Sequence, residues 1–181
     1  MINNQRGVGL IEVIVSLAIL AIAVLGFAAL QFRALDAVQE ANDRTAAMTL
    51  ARDIAEKIRV NRTQLNEYKS KINASGSTVV KSCIKSDTQS AVVTTTTMCN
   101  QSEMASFEAS QILGIAKQKN MTMIINDCQG GDRQCVYVAW GGTVITATSQ
   151  ANCMVSGVYV AGAKCLVMEA YGSCIIKIDL R

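Results

Sequence analysis

Apolar residues run almost without interruption over residues 8–30, VGLIEVIVSLAILAIAVLGFAAL, where the single charge is Glu12. As a helix rising about 1.5 Å per residue, this run is long enough to cross the roughly 30 Å hydrocarbon core of a bilayer, so it reads as a transmembrane helix. Past Arg33 the pattern changes character but not period. Apolar or small residues recur at Leu35, Val38, Ala41, Met48, Ala51, Ile54, Ala55 and Ile58, while Asp36, Glu40, Asp43, Arg44, Arg52, Asp53 and Lys57 mostly occupy other faces. This predicts an amphipathic continuation over residues 31–61 whose stripe packs on its own domain. Neither Gly nor Pro occurs between Phe27 and Ala74, so both halves are expected to form one helix, with Gly26 the obvious soft point.

Beyond the helix, residues 70–100 form a polar connection rich in Ser, Thr, Lys and Asn, with Val79, Val80, Val92 and Val93 as candidate short strands. Asn100 followed by Glu103 has the spacing of a capping box, ahead of a second amphipathic helix over residues 101–118 that turns Met104, Phe107, Ile112 and Ile115 inward. From Met121 the period shortens. MTMII, CVYVAW, TVITATS, GVYVA, KCLVMEAY and CIIKIDL are β-branched or aromatic runs separated by Gly130-Gly131, Gly141-Gly142, Gly162 and Gly172, which reads as an antiparallel meander. In CVYVAW, Val136, Val138 and Trp140 alternate with Tyr137 and Ala139, and Trp140 is expected in the core under the long helix. The fold class is therefore α+β, a long N-terminal helix packed on a C-terminal antiparallel sheet, with residues 62–181 as the globular domain.

Composition narrows the chemistry. The chain of 181 residues has the length of about one domain, and a formal charge of +3 from scattered Lys and Arg gives no basic stripe, so no nucleic acid is expected as a direct partner. There is no histidine, which removes the commonest general base and metal ligand together. With no Ser-Lys motif either, no catalytic residue is assigned, and no enzyme activity, cofactor, metal or small-molecule substrate is expected. Gly130 to Asp132 reads as a hairpin turn rather than a nucleotide or calcium loop, and the Thr94 to Thr97 run as solvated loop.

Glu12 does not fit an ordinary membrane helix. A carboxylate near the start of a span costs about 2.5–3.5 kcal/mol unless it stays hydrated at the interface or finds a partner. Ahead of the run, the first six residues carry Arg6 and no acid, so the positive-inside rule leaves the N-terminus cytoplasmic and the globular domain periplasmic. A cleaved secretory signal would have a shorter apolar region and a small-residue site, for which Ala28 and Ala29 are the nearest candidates.

The stretch Arg6, Gly7, Val8, Gly9, Leu10, Ile11, Glu12 resembles the class III signal of type IV prepilins: a short basic leader ending in Gly, a hydrophobic first mature residue, and Glu at the fifth mature position. Val8 and Gly9 stand where Phe and Thr or Ser are usual. The resemblance implies that residues 1–7 are a leader, that a prepilin peptidase cuts between Gly7 and Val8, and that Val8 is N-methylated. It also supplies Glu12 with a partner, the cationic amine of Val8 on a neighbouring subunit. Among type IV pilins the chain is most similar to the minor pilin group called PilV, the pilus-modification proteins. The similarity lies in GLIEVIVSLAILAIAVLGFAALQ, AEKIRVNRTQLNEY, QSEMASFEASQ and CVYVAWGG. That implies a structural subunit of the inner membrane that helps prime pilus assembly and joins the pilus at or near its tip, with other minor pilins, the major pilin and membrane lipid as partners. A minor pseudopilin of type II secretion shares such an anchor, and an anchored periplasmic binding protein would tolerate loss of Glu12.

Seven cysteines in an extracytoplasmic domain point to disulfides. Their spacings include no close C-x2-4-C pair of the zinc type. Three bridges and one residue left over allow 105 connectivities. Proximity favours Cys83 with Cys99 and Cys128 with Cys135, while Cys165 pairs with either Cys153 or Cys174.

Overall fold

The computed structural model describes residues 9–74, 81–83, 98–129 and 133–170. The chain divides into two compact units, Met1–Asn42 and Asp43–Arg181. Helix α1 spans Leu10–Val60, as a chain without any proline permits. It continues through Gly26, where an added Cβ would meet nothing within 4 Å. Its expected end near Asn61 is observed at Val60, with the Asn61 N–H still donating to the Lys57 carbonyl at 3.0 Å.

In the first unit the side chains of α1 are almost all exposed. Leu35, Val38 and Ala41, expected to start the packing stripe, are exposed too. Periodicity shows which face of a helix is apolar and not where its cover begins. The buried stripe starts at Ala47 and continues through Leu50, Ala51, Ile54, Ala55 and Ile58, with Met48 half-buried beside it.

Those six residues join the core of the second unit. A 3-10 turn, Arg62–Gln64, leads into helix α2, Leu65–Asn73, which begins past the expected end of α1 near Asn61 and runs into the start of the polar connection. Tyr68 and Ile72, one turn apart, are the buried residues that anchor α2 in the core, with Leu65 packed beside them. Its remaining ties are polar. The Tyr68 hydroxyl donates to Glu108, the Ser106 hydroxyl donates to Glu67, and the Asn73 side chain bonds both the N–H and the carbonyl of Ile125, at 2.9 and 2.8 Å. Burial, reinforced by the hydrogen bond to Glu108, pushes the Tyr68 phenol well above its ordinary range.

Helix α3, Gln101–Gln118, has the expected capping box: Asn100 accepts from the Glu103 N–H at 2.8 Å and Glu103 accepts from the Asn100 N–H at 2.9 Å. At the other end Asn120 takes φ 54°, and the N–H groups of Met121 and Asn120 return to the carbonyls of Ala116 and Lys117 in a Schellman motif. The inward face differs from expectation. Ala105, Ala109, Ile112 and Ala116 form the buried stripe; Met104 and Ile115 are exposed and Phe107 is half-buried. Small residues let α3 sit close to its neighbours, and the larger apolar residues flank that contact.

Strands β1 (Thr122–Asp127), β2 (Gln134–Ala139) and β5 (Cys165–Glu169) form an antiparallel sheet in the order β1-β2-β5. Both faces of β2 are buried. Val136, Val138 and Trp140 enter the core with the helices, and Trp140 is 4% exposed there as expected. Cys135, Tyr137 and Ala139 face a second cluster with Ile145, Cys153 and Met154. The meander is interrupted between β2 and β5 by a separate two-stranded hairpin, β3 (Met154–Val155) with β4 (Val158–Tyr159). TVITATS is not a strand. It makes one isolated bridge, Thr146 to Ser149, and is pinned by side chains, with Asn152 donating to the Val144 carbonyl at 2.8 Å and Asn126 to that of Ala147 at 3.3 Å.

Disulfides join Cys83 to Cys99, Cys128 to Cys135 and Cys153 to Cys165. The third takes one of the two pairings left open for Cys165. The candidate strands at Val79, Val80, Val92 and Val93, the turn at Gly130 to Asp132, Cys174 and the CIIKIDL run lie outside the described residues.

Candidate assembly helix

The first turns of α1 carry the functional proposal of the sequence. Gly9 precedes the helix, and its carbonyl accepts from the Glu12 N–H at 2.8 Å, closing the first turn. Glu12 therefore sits where the helix leaves backbone N–H groups unpaired and where the macrodipole favours a negative charge, a local effect worth about 0.3–1 kcal/mol. That is less than the cost of holding a carboxylate in hydrocarbon, so helix position alone does not compensate Glu12 there. Among the described residues its carboxylate has no hydrogen-bond or ion-pair partner. Ser16, one turn on, differs: its hydroxyl donates to the Glu12 carbonyl at 2.7 Å and is satisfied within the helix.

Around and beyond Glu12 the helix surface is apolar on every side. Leu10, Ile11, Val13, Ile14, Leu17 and Leu20 are all exposed, and an 18-residue stretch of α1 reaches a mean hydropathy of 2.9 with none of it buried. A helix apolar all round is suited to a membrane or to burial among other helices. By length and composition this one suffices to cross a bilayer. Gly7 and Val8, the expected cleavage and methylation site, lie outside the described residues.

Other groups with chemical potential are already engaged inside the domain. A cavity of about 460 Å³ is bordered by Lys57, Val60, Asn61, Met104 and Glu108. Its polar and charged groups are spent on structure: Glu108 accepts from Tyr68 and from Lys57, the latter at 3.4 Å, and Asn61 donates to the Gln101 carbonyl at 2.9 Å. Among the described residues no cluster of His, Cys, Asp or Glu is arranged to hold a metal.

Residues 2–28 match the prokaryotic N-terminal methylation motif, and residues 29–110 match the family described as type IV pilin Tt1218. These matches support a type IV pilin. The second match covers the remainder of α1, all of α2 and the first half of α3, and the first takes in Glu12 and the residues expected to be cut and methylated. The long apolar helix followed by a small antiparallel sheet is a type IV pilin-like α+β fold, and the matched family is structural rather than enzymatic. The methylation motif implies prepilin peptidase processing and pilin assembly in general, and with the apolar helix it fits membrane anchoring followed by incorporation into a pilus. No curated protein and no solved structure matches the chain.

Proposed function

We propose that this chain is a minor pilin of the PilV group, which helps prime type IV pilus assembly and stays in the pilus at or near its tip. It is made with residues 1–7 as a leader, held in the inner membrane by residues 8–30 with its N-terminus cytoplasmic, and presents residues 62–181 to the periplasm. Prepilin peptidase cuts after Gly7 and methylates Val8. Assembly brings the Val8 amine of one subunit to Glu12 of another, with other minor pilins and the major pilin as neighbours.

The observation that carries this reading is the exposed helix start. A lone carboxylate without a partner among the described residues stands in the first turn of a helix whose 18-residue apolar stretch is unburied, inside the span that matches the methylation motif. A charge in that setting requires a cation from elsewhere, because low-dielectric surroundings strengthen a correct pair and penalise an isolated ion. Removing the leader would create one. Mass analysis of the membrane-extracted protein should show loss of residues 1–7 and a methylated Val8. A mature terminus near Leu30 would mean an ordinary signal peptide and would end the pilin reading.

A further inference from the structure

Asparagine is followed two residues later by Ser or Thr at Asn61 with Thr63, Asn73 with Ser75, Asn100 with Ser102 and Asn120 with Thr122. That spacing is the acceptor pattern for a sugar carried on the asparagine amide. All of these asparagines stand at or next to a helix end, where asparagine is common for its capping ability, so the pattern alone selects no site. Accessibility does select. A transferase must reach both the amide nitrogen that takes the sugar and the hydroxyl that completes the pattern.

Three of the four side chains are committed to the fold. Asn61 donates its amide to the Gln101 carbonyl at 2.9 Å. Asn73 spends its amide on both backbone groups of Ile125, which is fully buried, so withdrawing it would leave buried polar groups unpaired. Asn100 caps α3 by accepting from the Glu103 N–H, and its Ser102 lies half-buried inside the first turn of that helix. Asn120 differs on every count. It is exposed, and among the described residues its side chain has no hydrogen-bond partner. Thr122, the first residue of β1, is exposed as well, and its hydroxyl is likewise without a partner among them. Between the two, Met121 is 5% exposed and its N–H bonds the Ala116 carbonyl at 2.8 Å. The turn is therefore pinned at its middle residue, while the two residues of the pattern are left to solvent. At Asn120 the backbone takes φ 54°, a conformation that asparagine tolerates better than most residues.

We propose that Asn120 is the acceptor of an N-linked sugar. The donor is a sugar activated at its anomeric carbon by a phosphate or pyrophosphate group. In the transfer a bond forms between Asn120 Nδ2 and that carbon, the bond from the carbon to the phosphate oxygen breaks, and the phosphate leaves with the electron pair. One Nδ2 proton passes to a base of the transferase. An amide nitrogen is a weak nucleophile because its lone pair is shared with the carbonyl, so the transferase has to grip and turn the group. A side chain with no bond of its own to break yields to that most readily. The inference goes beyond the proposed function and depends neither on Glu12 nor on processing at Gly7.

The test isolates the full chain from membranes of the cells that naturally produce it, reduces and digests it with trypsin, and locates sugar by fragmenting the peptide of residues 120–133. The expected result is sugar mass on Asn120, lost with Thr122→Ala and regained with Thr122→Ser, in proteins that keep the Cys128 to Cys135 disulfide. An attached oligosaccharide of fixed composition identifies a lipid-carried donor and a single hexose a nucleotide-carried one, and both support the site. An unmodified peptide from the unaltered chain, sugar on the Thr122 oxygen, sugar confined to Asn61, Asn73 or Asn100, or sugar that stays on Asn120 in Thr122→Ala would each overturn the inference.

Discussion

The N-terminal residues 10–42 and the domain that follows are both rich in aliphatic side chains, and they use them in opposite ways. In the first unit the apolar residues surround the helix axis and remain exposed; in the second, an apolar stripe from Ala47 to Ile58 is covered by α2, α3 and the sheet. The domain obtains its stability from its own chain. The apolar helix needs an environment supplied from outside, lipid at first and neighbouring helices under the assembly reading. One continuous element thus serves two solvents, and the switch between them is written as a change from all-round to one-sided apolarity.

The largest expected effect tests the outside partner. Glu12→Ala should leave a membrane-inserted protein, because the apolar run suffices for insertion, yet abolish its recovery in sheared pili. Normal incorporation would show that the carboxylate needs no partner. A smaller, graded effect separates the two kinds of burial. Ile54 is fully buried, so Ile54→Ala should lower domain stability by about 2–5 kcal/mol. Ile19→Ala, a matching truncation on the exposed part of α1, should leave the urea midpoint of the domain unchanged. Equal losses would erase the distinction.

Much of this division was legible beforehand. The apolar character of the first part of α1, the end of α1, the Asn100 and Glu103 cap and the two-faced alternation around Trp140 depend on local chemistry, which a sequence displays directly. Helix α2 was not legible because three apolar residues in nine give too weak a period, and its position depends on bonds from Tyr68 and Asn73 to distant elements. The inward face of α3 was misread for a related reason: size suggested Met104 and Ile115, whereas close packing selected the alanines. TVITATS has the composition of a strand, but among the described residues no strand pairs with it, and its one bridge, Thr146 to Ser149, closes on the segment itself. At the candidate site Glu12 and the apolar run were plain from sequence. The choice of Cys153 over Cys174 for Cys165 required the fold.

Within the domain, the Cys83 to Cys99 disulfide closes a 16-residue separation between the polar connection and the start of α3. Replacing both by Ser should cost about 3 kcal/mol by the chain-entropy argument, read as a lower denaturant midpoint with membrane insertion unaffected. A midpoint that does not move would mean that the Lys81 to Glu103 ion pair at 3.0 Å and its neighbours hold that segment alone.

The smallest expected effect concerns pH. Because the Tyr68 phenol is raised in the folded state, its stabilising contribution is complete below the ordinary tyrosine pKa of about 10 and is lost as pH rises through the higher folded value. Stability of the domain should therefore decline above about pH 10, and Tyr68→Phe should reduce that slope. Tyr137, raised mainly by burial, keeps part of it. An unchanged slope in Tyr68→Phe would remove Tyr68 from the account, while the exposed half of α1 should show no such dependence in either protein.

The bond pair from Asn73 to Ile125 has a consequence of another kind. Among the described residues strand β1 lies at one margin of the sheet, and a bare margin is a template onto which a foreign strand can grow, the route to fibrils of the wrong sort. The Asn73 amide occupies the N–H and carbonyl of Ile125 as a peptide group of a further strand would, so a foreign strand would have to displace that side chain to pair there. A chain proposed to polymerise through its helix gains from a sheet margin that is already occupied at this point.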